Sequence, residues 1–134
     1  MIAYIAVFIV AIVFLAIADM VWLFVVSSRF VKKTGEGEEG QASLSQIISG
    51  ISVYMLITIG VMVFVLPKLL DGEYILSLFY GGLFGFLIYG IYEGTNYFVI
   101  DRYSRFLATL DIAWGAISIA MVTFVSKYLL DKLS

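Results

Sequence analysis

Apolar residues along this chain come in four long blocks separated by short polar stretches. The blocks are Met1–Val26, Leu44–Leu66, Tyr74–Ile100 and Phe106–Ser126. Each is at least as long as the ~20 residues needed to cross the hydrocarbon core of a bilayer. The pattern predicts helices over about 1–27, 44–66, 74–99 and 105–130. The fold class it predicts is all-α: an integral membrane bundle of four transmembrane helices, with residues 1–134 forming a single transmembrane domain. Short connections make neighbours in sequence antiparallel neighbours in space.

The polar stretches read as loops. Loop 1, "SSRFVKKTGEGEEGQAS", is charged and glycine-rich and is expected to be a solvated linker. Pro67 marks the exit from helix 2, because proline has no N–H with which to extend the helix ladder. Asp71 and Gly72 then supply turn chemistry. Loop 3 is "DRYSR", with Asp101, Arg102 and Arg105.

Composition agrees with a membrane protein. The chain is 63% hydrophobic and 13% charged, with a mean hydropathy of +1.07, whereas a soluble domain carries about 25% charged residues. The first block has no basic stretch before it and exceeds the ~7–15 residues of a signal-peptide core, so it is expected to stay as helix 1. Net charge is −2, largely from loop acids, and gives no sign of a nucleic-acid partner. The expected partners are membrane lipids, with a second copy or another membrane subunit as further candidates.

Missing residue types narrow the chemistry. There is no Cys, hence no disulfide, thiolate metal site or thiol nucleophile. There is no His, hence no imidazole ligand, haem axial histidine or imidazole proton relay. No Lys falls inside the four blocks, so a retinal-type Schiff base has no attachment point. No cofactor and no metal is implied. Basic residues also bear on orientation: loops 1 and 3 hold Arg29, Lys32, Lys33, Arg102 and Arg105, and the other side holds Lys68, Lys127 and Lys132. The positive-inside rule then puts loops 1 and 3 in the cytoplasm and both termini outside.

Helix 3 is rich in glycine. In "YGGLFGFLIYGIYEG", Gly81 and Gly85 are four apart, as are Gly90 and Gly94. Such small-xxx-small spacing lets a neighbouring backbone come close, and the expected use is packing inside the bundle.

The acids within the blocks are the candidate chemistry. Residues 14–22 read "FLAIADMVW" and residues 106–114 read "FLATLDIAW", so Asp-x-x-Trp occurs in the first and last helices. Helix 3 adds "YEGTNYF", with Tyr92, Glu93, Thr95 and Asn96. At ~1.5 Å per residue from the nearest loop charge, Asp19 lies ~15 Å deep, Glu93 ~12 Å and Asp111 ~9 Å. All three depths are measured from the face that carries loops 1 and 3. Helices 1, 3 and 4 therefore bring acids to one layer of one leaflet. A charge in the bilayer core costs from ~2.5 to over 10 kcal/mol, so such groups turn inward and find partners. No basic residue lies at that depth, and at least one acid is expected to hold a proton or a cation. Trp22 lies ~10 Å deep and Trp114 ~13 Å, each near the level of the other helix's aspartate. Crossed bonds are expected, Trp114 to Asp19 and Trp22 to Asp111, since indole is a donor only.

These residues resemble a known family. "D-x-x-W" in helix 1, a proline closing helix 2, "LFGFLIYGIYEGTN" in helix 3 and "TLDIAWG" in helix 4 are similar to the bacterial membrane proteins grouped as domain of unknown function 2177. The likeness covers nearly the whole chain and is most specific from Gly82 to Gly115. Glu93 stands where that family usually has Asp, and loop 1 is more acidic and glycine-rich than its pattern. The resemblance implies a four-helix membrane protein with Asp19, Glu93, Asn96 and Asp111 as its polar positions, and it brings no activity.

Three functions are open to such a cluster. It can fix helix register as part of a structural or accessory subunit, through hydrogen bonds worth ~0.6–2 kcal/mol each in lipid. It can be the proton or cation site of a small transporter, with oxygen ligands from the acids, Asn96, Thr95 and Tyr92. An enzyme or accessory factor acting on a lipid or other hydrophobic substrate is the third. A structural cluster should be dry and pocket-free, a transport site needs a water path, and a lipid site needs a lateral pocket.

Overall fold

The computed structural model describes residues 1–29 and 43–134, so Lys32 and Lys33 of loop 1 lie outside the described residues. The elements are α1 (Ile2–Arg29), α2 (Leu44–Gly60), α3 (Tyr74–Val99) and α4 (Arg105–Leu133). Four helical segments are long and apolar enough to cross a membrane, the second running from Leu44 to Lys68.

Local sequence sets the helix starts. Ser43 and Gln46 form a capping box: the Gln46 amide N–H donates to Ser43 Oγ at 3.3 Å, and the Ser43 N–H donates to Gln46 Oε1 at 2.8 Å. Ser104 caps α4 by accepting from the Leu107 N–H at 3.2 Å. Arg102 has φ of 60°, so a non-glycine residue takes the left-handed conformation in the tight loop before it.

Two elements depart from the sequence expectation. Helix 2 does not run uniformly to Pro67: it passes through a π-helical turn at Val61–Val65 and a 3-10 turn at Leu66–Lys68. Pro67 donates no N–H and would crowd the carbonyl four residues back, and the wider turn sits immediately before it. Helix 4 continues beyond residue 130 to Leu133, and Lys127 within it is only 4% exposed and is not a free charge of the far side. Lys127 Nζ lies 3.1 Å from Asp131 Oδ2 and 4.8 Å from the centre of the Tyr74 ring, and Tyr74 also donates to Asp131 at 2.8 Å. The run of apolar letters stops at Ser126, but the helix carries its cation inward on a paired acid.

Packing follows the glycines. In lipid there is no hydrophobic drive between helices, so close van der Waals fit and hydrogen bonds hold them. α3 packs most extensively on α4, and α1 lies against α4 and α2. A Cβ at Gly81 would lie 2.5 Å from Thr123 Oγ1, and one at Gly85 would land on the carbonyl oxygen of Gly115. Gly81 and Gly85 therefore form the α3–α4 seam. Gly90 and Gly94, expected to pack in the same way, have nothing within 4 Å of such an atom. They lie on another side of α3, so among the described residues the second glycine pair packs against nothing.

The closed half of the bundle lies toward the α2–α3 connection. There Leu15, Ile57, Val61, Val65, Leu66, Leu69, Ile119 and Val122 form a buried apolar core. Toward the other face α2 diverges: Leu44, Ile47, Ile48, Ile51 and Leu56 are all exposed. α2 meets α3 chiefly through the π-helical turn, which leaves the two helices apart beyond it.

Candidate functional site

Asp19 and Trp22 lie three apart on α1, and Asp111 and Trp114 lie three apart on α4, so each pair shares a helix face. α1 and α4 run antiparallel. The aspartate of each helix therefore sits level with the tryptophan of the other. Trp22 Nε1 donates to Asp111 Oδ1 at 2.9 Å, and Trp114 Nε1 donates to Asp19 Oδ1 at 3.1 Å. The indole rings stack between them, with centroids 5.0 Å apart and planes within 3°. This geometry explains why the same motif appears twice: on antiparallel helices Asp-x-x-Trp is complementary to itself.

α3 brings the remaining partners. Tyr89 hydroxyl donates to the Asp19 carboxylate, at 3.3 Å to Oδ1 and 3.2 Å to Oδ2. Its ring lies over Gly115, where a Cβ would collide with it. Tyr54 of α2 packs against the core close to Asp19. One turn beyond Tyr89, Glu93 is 4% exposed and lines the same cavity as Asp111. Tyr103, brought back by the left-handed turn at Arg102, donates to Glu93 Oε2 at 2.6 Å and accepts from Asn96 Nδ2 at 3.4 Å. Tyr103 lies outside the spans. Burial first, and then its bond to Glu93, push its phenol up to about 12.

The structure thus gathers Asp19, Trp22, Glu93, Asn96, Asp111 and Trp114 in one layer. Two of the singled-out residues stand apart from that hydrogen-bonded layer. Thr95 is exposed on α3, two residues from Glu93 and turned away. Tyr92 is 60% exposed and borders the site only as part of the cavity wall. Asn96 is committed to Tyr103. The oxygen ligand set drawn from the sequence therefore does not converge, and among the described residues no three acids are placed to hold a metal ion together.

A cavity of about 720 Å³ opens where α2 leaves the bundle. Apolar side chains such as Leu23, Val53, Leu56 and Ile88 form most of its wall. Asp19, Glu93 and Asp111 line it too, with Tyr103 beside Glu93. Among the described residues no Lys or Arg lines it. Its size is that of pockets that enclose a small organic ligand, ~300–1,000 Å³. Ile57 of its wall joins Leu15 and Ile119 in the buried core.

Sequence reasoning missed Tyr54, Tyr89 and Tyr103. The chain has nine tyrosines, so the residue type alone singles out none. Position carries the usable signal for one of them: Tyr89 lies four residues before Glu93, on the same side of α3.

Comparison with known proteins gives one result. The family model described as a predicted membrane protein, domain of unknown function 2177, matches residues 4–128. No curated protein and no solved structure matches the chain.

Proposed function

The chain belongs to the predicted membrane proteins of domain of unknown function 2177, and from that premise we propose that it binds one amphiphilic molecule drawn sideways from the bilayer. The apolar body of the ligand occupies the cavity beside α2, and its polar head meets Asp19, Glu93 and Asp111. The observation that carries this reading is the cavity itself, about 720 Å³ of mostly apolar wall that includes three carboxyl groups. A cluster serving only to fix helix register has no use for such a space. A conduction path is disfavoured by the apolar core packed beside the cavity, Leu15, Ile119 and Val122.

The chain's own tryptophans provide the assay. Both belong to the site, and Trp22 lines the cavity. Protein in nanodiscs is titrated with a single-chain amphiphile carrying bromine on its tail, which quenches indoles it touches. Saturable quenching is expected, and Val53→Phe, which fills the cavity, should weaken it. Quenching that only rises in proportion to the bromine in the bilayer, alike in wild type and Val53→Phe, would refute the proposal.

A further inference from the structure

The irregular turns of α2 border a second recess, which shares no residue with the cavity. Phe64 of the π-helical turn and Lys68 of the 3-10 turn face Tyr80, Leu83, Phe84 and Leu87, which lie at helical spacing on one side of α3. Between them runs a furrow of about 130 Å³. Phe84 is its floor: a Cβ at Gly60 would lie 2.6 Å from Phe84 Cζ, so the ring is pressed against the α2 backbone. Phe64, Leu83 and Leu87 are exposed, and the furrow opens sideways to lipid. It is smaller than the ~300–1,000 Å³ of pockets that enclose a ligand, and suits a side-on grip on one chain. Its chemistry changes with depth. Lys68 ends the second span at the face opposite loops 1 and 3. Tyr80 lies six residues into α3, ~9 Å from its start, and Leu87 thirteen residues, ~20 Å. On the water side, Asp71 and Glu73 follow Lys68 in the α2–α3 connection. Among the described residues the one ion pair is Lys127 with Asp131, so Lys68, Asp71 and Glu73 are unpaired, and Glu73 does not cap α3. Residues 30–42 are tethered at the opposite end of the bundle. None is more than seven residues from Arg29 or Ser43, ~25 Å of extended chain, against ~37 Å along α2 to Lys68.

From water inward the order is carboxylates, ammonium, phenol and apolar wall. We infer that this furrow holds a phospholipid with a primary-ammonium head, of the phosphatidylethanolamine kind. Its ammonium meets Asp71 and Glu73, its phosphate meets Lys68, and an ester carbonyl accepts from the Tyr80 hydroxyl. One acyl chain lies along Phe64, Leu83 and Leu87. A lysine stem buries its methylenes against apolar surface while its charge stays at head-group level, as this placement requires. An ammonium offers N–H donors to both acids, whereas a choline head carries the charge without them. A phosphoglycerol head satisfies Lys68 but sets a net negative charge beside Asp71 and Glu73. The site is independent of the cavity proposal and stands or falls without it.

Native mass spectrometry of the full chain tests this. The protein is released from nanodiscs of equal parts phosphatidylethanolamine, phosphatidylcholine and phosphatidylglycerol with identical acyl chains, and the retained lipid is identified. Phosphatidylethanolamine should be retained about threefold over each of the others, the scale of exposed ion pairs. Lys68→Gln should lower its retention to the level of the other two. Asp71→Asn with Glu73→Gln keeps the phosphate contact and should make the ethanolamine and choline lipids equal. Lys68, Asp71 and Glu73 are all exposed, so tryptophan emission and thermal midpoint should stay native in these variants. Val53→Phe, which fills the cavity, should leave the preference unchanged. Equal retention of the ethanolamine and choline lipids by wild type, or tightest retention of phosphatidylglycerol, would overturn the inference. So would a preference that survives Asp71→Asn with Glu73→Gln, or one that Val53→Phe abolishes, which would place the lipid in the cavity.

Discussion

Replacing Gly115 with alanine tests the packing logic of the site at a single atom. The new methyl would meet the Tyr89 ring, and each of the three nearest atoms to it belongs to that ring. Tyr89 must then move, and its bonds to Asp19 at 3.2 and 3.3 Å go with it. Forcing a methyl into a filled interior costs ~1–3 kcal/mol. The lost hydrogen bond adds ~0.6–1.7 kcal/mol in a membrane protein. Alanine returns up to ~1 kcal/mol over glycine through helix propensity. Gly115→Ala should therefore destabilise the fold by about 1–3 kcal/mol, the balance of these terms. Reversible unfolding in mixed micelles, followed by tryptophan emission, measures it. The decisive comparison is a double-mutant cycle with Tyr89→Ala. With the ring gone, the methyl has nothing to strike, and Gly115→Ala should become neutral or slightly stabilising. A cost equal in both backgrounds would show that Gly115 serves something other than room for Tyr89.

Two further outcomes follow from the same contacts. Gly85→Ala places its methyl against backbone atoms of Gly115 and Ala116, which no rotamer change relieves, so its loss of thermal stability should exceed that of Gly115→Ala. Gly90→Ala and Gly94→Ala meet nothing within 4 Å and should leave the midpoint unchanged or raise stability by up to ~1 kcal/mol each. Tyr103 should ionise late: its phenol is pushed up to about 12 from the usual 10.0, so its bond to Glu93 stabilises the fold below about pH 10 and is lost as pH rises through 12. An ultraviolet difference titration of wild type against Tyr103→Phe reads this, and ionisation of the extra phenol near pH 10 would refute it.

The layer of acids was legible because charge in lipid is costly and depth can be counted from loop charges. Asp-x-x-Trp on the first and last helices carried enough information to suggest crossed bonds, since four short-looped helices place α1 and α4 antiparallel. Thr95 was misplaced because a residue two positions from Glu93 turns about 200° around a helix. Gly90 and Gly94 have the spacing of packing glycines, yet spacing does not say which side of α3 a neighbour occupies. The cavity was not legible at all. Lipid is as apolar as a protein core, so Leu44–Leu56 reads the same whether it lies on the bundle or in the bilayer. The π-helical turn left only Pro67 as its trace, and the tyrosines were hidden among their own kind.

The joint in α2 gives the bundle a mechanical character. Beyond it, the seventeen residues Leu44–Gly60 form a rod ~25 Å long, anchored at one end by Val61, Val65 and Leu66 and bare along its outer half. For a lever of that length, a tilt of about 10° at the joint carries the Leu44 end ~4 Å. A tilt of that size would widen or narrow the cavity mouth, so its width would answer to bilayer thickness and lateral pressure.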